Sequence, residues 1–278
     1  LLAIFTGMLL NSYFGVDSDA WRYAFVLGGI LGLAGLYLRL TVAETPVFKE
    51  IQAQERIVET PIMEVITSNW KNALLTVAVG GLTGASGYLV MTHVNVFYKT
   101  VMAYDANLAL YYAALANFFL ILFLPLGGLL ADKIGYTRAI VLGCVLVFFV
   151  SIPIFSMMAS NNVVEMHIGI AGLAALVGLI YAPLYPFMLS MFTPEQRYSG
   201  IACFLNIGIA LMGGTCSMVC LWLINLTSEL HATAYYWNFV AGVFLLTLYY
   251  VRPNKFFTYF ILSNKYPNEQ LGEKYGRA

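Results

Sequence analysis

Charge is the scarcest property of this sequence. Only 10% of its 278 residues are Asp, Glu, Lys or Arg, against 60% hydrophobic residues and a mean hydropathy of +0.79. Soluble domains carry about a quarter charged residues, and one core cannot hide this much apolar surface. A water-soluble globular protein is excluded; the chain reads as an all-α, polytopic membrane protein whose first partner is the lipid bilayer. Its 14 basic and 14 acidic residues cancel, which removes the basic surface that nucleic-acid binding needs. Cysteine is sparse as well. Cys144, Cys203, Cys216 and Cys220 all fall in apolar runs, where they read as small packing residues and not as a disulfide framework. Cys216 and Cys220 share a helical face without a His or carboxylate nearby, so no metal site is expected. Catalytic motifs are missing too: there is no H-E-x-x-H, no G-x-S-x-G and no carboxylate pair within an apolar run. An enzyme is not expected, and nothing calls for a cofactor.

What is present is a succession of long apolar segments. Leu1–Phe14 would rise only about 21 Å as a helix, short of the roughly 30 Å of membrane hydrocarbon. It lacks the basic start and cleavage site of a signal peptide, so it reads as part of a helix whose beginning lies upstream. Full spans follow at Trp21–Leu40, Asn72–Tyr98, Asn107–Ala131, Ala139–Met158, Met166–Met191, Ser199–Leu226 and Thr233–Val251. Residues 41–71 form the longest polar stretch, in which Pro46–Ile57 suits a short surface helix. Residues 252–278 form a polar tail with one apolar patch, Phe256–Leu262, too short to span. No heptad repeat is visible in that tail.

Taking alternate connections, twelve of the fourteen bases fall on one side and only Arg22 and Lys99 on the other. By the positive-inside rule the long loop and the C-terminus are cytoplasmic. Trp21, Trp70, Tyr98, Tyr235, Tyr236 and Trp237 lie near span ends and suit an interfacial aromatic belt.

The most informative stretch is Gly127–Arg138, GGLLADKIGYTR, a short polar hinge between two spans. It resembles the cytoplasmic loop signature of the major facilitator superfamily, roughly G-x-L-A-D-[RK]-x-G-R-[RK]. Gly128, Leu130, Ala131, Asp132, Lys133 and Gly135 match; Tyr136 departs from the pattern, and Arg138 comes slightly late. Three further places resemble the metabolite:proton symporter branch. These are Trp21-Arg22 opening a span that ends GLAGLYLRL, then Glu44-Thr45-Pro46-Val47-Phe48, and Tyr185-Pro186 through Arg197-Tyr198-Ser199-Gly200 to Asn206. The proline/betaine transporters look closest, although dicarboxylate, citrate and α-ketoglutarate carriers share these marks.

The resemblance implies the major facilitator fold, with this chain supplying helices five (partial) to twelve of twelve. Residues 1–40 would close the N-terminal bundle, 41–71 would be the central cytoplasmic loop, 72–251 the C-terminal six-helix bundle and 252–278 the tail. It implies alternating access in a bacterial inner membrane, with symport of protons and a small zwitterion of the proline or betaine kind. Organic acids are the alternative substrates, and a non-transporting membrane sensor is a remote one. It also implies that Gly128, Asp132, Lys133, Gly135, Arg138 and Arg197 form a cytoplasmic latch; topology signalling and solvation of the loop would account for the same charges.

Polar residues inside spans are the default candidates for a site. Thr76, Thr83, Ser86 and His93 share an arc of about 100° on one helix, which suits either a cavity lining or helix packing. Gly80, Gly84 and Gly87 beside them permit close helix approach. Thr83, Ser86, Asn117, Tyr181, Tyr185 and Asn206 are the candidates for a substrate cavity. Tyr181 and Tyr185 lie one turn apart beside Pro183 and Pro186, which should bend their helix. Their rings suit a quaternary ammonium or prolinium group. His93, toward the outer end, is the one titratable group near a span interior. It is a candidate for gating or coupling, or an interfacial residue, and the coupling groups are otherwise expected upstream.

Overall fold

A computed structural model describes residues 2–15, 19–41 and 61–253. The expected surface helix at Pro46–Ile57, the Glu44–Phe48 motif and the tail from residue 254 lie outside these described residues. The described residues form nine helices: α1 (Leu2–Phe14), α2 (Trp21–Thr41), α3 (Pro61–Ser68), α4 (Trp70–Val101), α5 (Ala106–Ile134), α6 (Tyr136–Met158), α7 (Val163–Leu189), α8 (Pro194 to Thr227) and α9 (Thr233–Val251). Seven of them are long and apolar enough to cross a membrane, and no strand occurs among the described residues.

Local chemistry sets the helix ends. Asp105 caps α5 by accepting from the amides of Asn107 and Leu108, both at 3.1 Å. Asn162 caps α7 through the Val164 amide at 2.9 Å. Such caps satisfy amides that have no partner within the helix. Gly135 separates α5 from α6 with φ +95°, a backbone conformation that side chains rarely adopt. The Tyr181–Pro186 region interrupts α7 as its prolines require: the regular helix stops at Tyr181 and resumes at Leu184. Helix α4 has two π turns, Leu89–His93 and Phe97–Val101, and α8 has one at Ile209–Gly213. Such bulges widen the helix and shift its side chains around the axis.

Helix α4 is the centre of the bundle. Of its apolar window 78% is buried, against 28% for α5 and for α8. It packs on α8 and α9 along its first half and on α5 along its second. Helix α7 packs between α5 and α6, and α9 lies against α4 and α6. Two crossings are closed by glycine. A Cβ on Gly208 of α8 would stand 2.6 Å from the Gly81 nitrogen of α4, and one on Gly84 only 3.0 Å from the Gly213 backbone. At the α5–α7 crossing a Cβ on Gly127 would stand 2.9 Å from the Gly178 carbonyl carbon. Without a hydrophobic force between helices in lipid, such backbone approach is what dispersion can use. Helix α1 touches α5, and α2 touches α1, with Phe14 and Tyr23 5.9 Å apart; α2 buries no residue.

The aromatic belt expected from sequence is only partly observed. Trp21, Trp70 and Tyr235 are exposed, but Tyr98 and Trp237 are fully buried and Tyr236 nearly so. The cause is polar: each buried ring has a partner that rewards taking it inside. Tyr98 donates to the Met158 carbonyl at 3.0 Å, Trp237 to Ser86, and Tyr236 to the Met212 carbonyl.

Candidate substrate and gating sites

The motif Gly128–Arg138 is helical for most of its length. Helix α5 continues through Asp132 and Lys133 to Ile134, so the linker is Gly135 alone. Asp132 therefore lies within a helix and not in the hinge between the two spans. It occupies the last turn of α5, where the helix dipole does not favour an anion. Both Asp132 and Arg138 interact with other groups of the protein. Lys133 is exposed beside it. Arg197 lies in the first turn of α8 at the same end of the bundle, and its Nε is buried without a hydrogen-bond partner among the described residues. Another of the bases counted on that side from the sequence is placed by an aromatic ring: the Arg252 guanidinium lies 5.7 Å over the Phe187 ring. Asn72 ties the same end together by donating to the Met191 carbonyl at 2.8 Å.

The expected arc on α4 is a single face, and it points into the bundle. Thr76, Ser86 and His93 are at most 1% exposed and Thr83 is 5% exposed. Thr83 bonds back to the Val79 carbonyl at 2.7 Å, as a satisfied hydroxyl on a helix does. Its own carbonyl accepts the Tyr181 hydroxyl of α7 at 2.9 Å. Ser86 accepts the Trp237 indole N–H of α9 at 2.9 Å. One residue away the Cys216 thiol of α8 reaches the Ala85 carbonyl at 3.8 Å. His93 is buried: its Nε2 pairs with the Thr233 hydroxyl at 3.1 Å, while Nδ1 is buried without a partner among the described residues. These bonds fasten the middle and C-terminal half of α4 to three neighbours. Thr233 and Trp237 are hydrogen-bond partners that the sequence offered no means of finding, because they depend on which helix stands opposite.

A second group faces outward. Tyr185 is 57% exposed, and Tyr88, which sequence reasoning passed over, is 41% exposed. Tyr181 lies between these exposed positions and the core. Asn206 is exposed and turns back to the Ala202 carbonyl at 2.6 Å; Asn117 does the same toward Ala113 at 2.8 Å. Of the six cavity candidates, the structure therefore joins Thr83, Ser86 and Tyr181 around the middle of α4 and sets Tyr185 one turn beyond. Asn206 and Asn117 bond to their own helices. A separate cavity of about 90 Å³ lies between α4, α8 and α9, lined by Leu74, Val77, Gly81, Met212, Val240 and Thr247. Its wall is almost wholly apolar, which suits no charged solute. Among the described residues no group of His, Cys, Asp and Glu is arranged to hold a metal.

A helical bundle with a G-x-L-A-D-K-x-G hinge and glycine-closed crossings has a known counterpart. The profile of the Major Facilitator Superfamily matches residues 1–215. The chain belongs to this superfamily. Among proteins of that superfamily's transporter kind, a glycine betaine/proline/ectoine/pipecolic acid transporter of Dickeya dadantii is 28% identical over 236 residues, covering 82% of this chain and 47% of its own length. A proline/betaine transporter of Escherichia coli is 27% identical over the same shares. This superfamily member thus spans about half the length of the curated relatives it matches. No solved structure matches it. Seven apolar spans and transporter relatives make it an integral membrane protein.

Proposed function

We propose that this chain belongs to a secondary transporter that moves a small zwitterion of the proline/betaine type by alternating access, coupled to protons. The observation that carries this reading is 28% identity along 82% of the chain to a protein named for transport of glycine betaine and proline. The bundle supports it, since the polar groups at mid-span are hydroxyls, amides and aromatic rings without a fixed charge to select an anion. An organic-acid substrate would call for basic groups there.

In this reading the protein sits in a bacterial inner membrane with the basic end cytoplasmic. Gly128, Asp132, Lys133, Gly135, Arg138 and Arg197 form the latch that holds that end in one of two arrangements. His93, pinned to Thr233, is the group whose release or protonation accompanies movement of the outer half of α4. The π turns on either side of that half are where a helix yields most easily.

The test is uptake of labelled proline and glycine betaine in cells lacking their own carriers, with the protein expressed from its full reading frame. Uptake that collapses when a protonophore is added supports proton-coupled transport. Uptake that persists unchanged removes the coupling, and uptake of organic acids alone removes the zwitterion.

A further inference from the structure

We propose that the furrow lined by α4, α8 and α9 is a phospholipid site, in which one acyl chain fills the cavity and the phosphate rests at Lys71. This site concerns the protein's contact with its bilayer and requires nothing of the solute it moves.

The furrow follows from how the three helices pack. Helix α8 packs on α9 chiefly through Cys216–Thr227, whereas its earlier part and α9 both rest on α4. The cavity of about 90 Å³ lies between them, and Ala78, Gly81 and Gly208 on its wall lack the side chains to fill it. At its inner end the Tyr236 hydroxyl of α9 donates to the carbonyl of Met212, a wall residue of α8. At its rim Leu74 is 42% and Leu211 59% exposed, so the furrow opens outward toward the lipid.

Its occupant has to be hydrocarbon. Thr247 carries the one polar side chain on the wall, and its hydroxyl already donates to the Val243 carbonyl at 2.8 Å. Water or a polar solute would find no partner there. The length fits an acyl chain as well. Trp70, Leu74 and Gly81 share one face of α4, and Val243, Thr247 and Tyr250 share one face of α9. Both faces lead to the Trp70–Tyr250 ring pair, whose centroids are 6.4 Å apart, and the Lys71 Nζ lies 5.9 Å from the Trp70 ring. From Trp70 to Gly81 the helix rises about 16 Å, close to half of the roughly 30 Å of membrane hydrocarbon. Trp and Tyr favour the headgroup level, where a lysine attracts phosphate. Among the described residues no carboxylate pairs with Lys71. The furrow thus offers a dry slot one leaflet deep with a cation at its mouth, which is the shape and charge pattern of a phospholipid.

The experiment reconstitutes the protein, expressed from its full reading frame, into phosphatidylethanolamine–phosphatidylglycerol vesicles. A small share of the phosphatidylglycerol carries a photoreactive diazirine halfway along one acyl chain. After illumination, mass spectrometry of peptides locates the label. The reference is Phe149 of α6, which is 75% exposed and lies away from the furrow. Label is expected to concentrate on residues 74–81 and 240–247 well above the Phe149 stretch. Val243→Phe, which fills the cavity, should bring the furrow down to the Phe149 level. Lys71→Gln alters only an exposed side chain and should lower furrow labelling about fivefold, leaving Phe149 unchanged; it decides the matter if Val243→Phe fails to fold. Furrow labelling no higher than at Phe149, or unchanged in Lys71→Gln, would reduce the furrow to ordinary lipid contact and overturn the site. A labelled Phe149 beside an unlabelled furrow would show that another part of the protein covers it, which overturns the site equally.

Discussion

The contact between α4 and α8 makes the sharpest stability prediction. Replacing Gly208 by alanine places a Cβ 2.6 Å from the Gly81 nitrogen and 2.8 Å from the Gly80 carbonyl carbon. Ordinary contact begins near 3.4 Å, and both neighbours are backbone, which cannot rotate away as a side chain can. The Val77 carbonyl oxygen stands nearer still, so the helices must part locally by about 0.8 Å at the least. A gap of that size forfeits about a quarter to a half of each dispersion contact it opens, and overpacked cores lose about 1–3 kcal/mol. The seam also carries Gly84 against Gly213, so the strain spreads along the crossing, and a loss of about 2–3 kcal/mol is expected. Thermal unfolding of the purified protein in detergent should show a midpoint lowered by about 5–10 °C. Gly242→Ala is the control. Its Cβ would meet the Phe148 Cζ at 3.5 Å, an ordinary contact, so this variant gains the higher helix propensity of alanine, up to about 1 kcal/mol. If Gly208→Ala unfolds no earlier than wild type, the backbone seam does not hold the two helices and the packing argument fails.

Three further outcomes can be measured with the same preparations. Ser86→Ala leaves the buried Trp237 N–H without its acceptor and should cost about 1–3 kcal/mol; in a Trp237→Phe background the same change should cost markedly less, and equal costs would show that the bond contributes nothing. Gly135→Ala forces a side chain into φ +95° and should destabilise the protein by about 1–3 kcal/mol, visible as a lower unfolding midpoint. Asp132→Asn keeps the size and removes the charge. It should slow uptake at least tenfold with little change in unfolding temperature, whereas full activity would reduce the motif to a topology signal.

Much of this architecture follows from the order of residues alone. A hydrocarbon core of roughly 30 Å demands about twenty apolar residues per crossing, so the spans, the polar loop of residues 41–71 and the uneven distribution of bases can be read directly. The GGLLADKIGYTR hinge and its neighbouring motifs are local patterns, and the family is legible from them. Helical periodicity also placed Thr76, Thr83, Ser86 and His93 on one face, which is where they are.

Which way that face points was a tertiary decision. The same stripe of hydroxyls serves equally well to line a cavity or to bond a neighbour. Only the positions of α7 and α9 assign Thr83 to Tyr181, Ser86 to Trp237 and His93 to Thr233. Trp237 looked interfacial because it lies near a span end, yet it is buried because an acceptor stands opposite. Propensity and periodicity act along a single helix. A hydrogen bond between helices depends on what the next helix brings to it, and in this chain those helices come from positions up to 151 residues away.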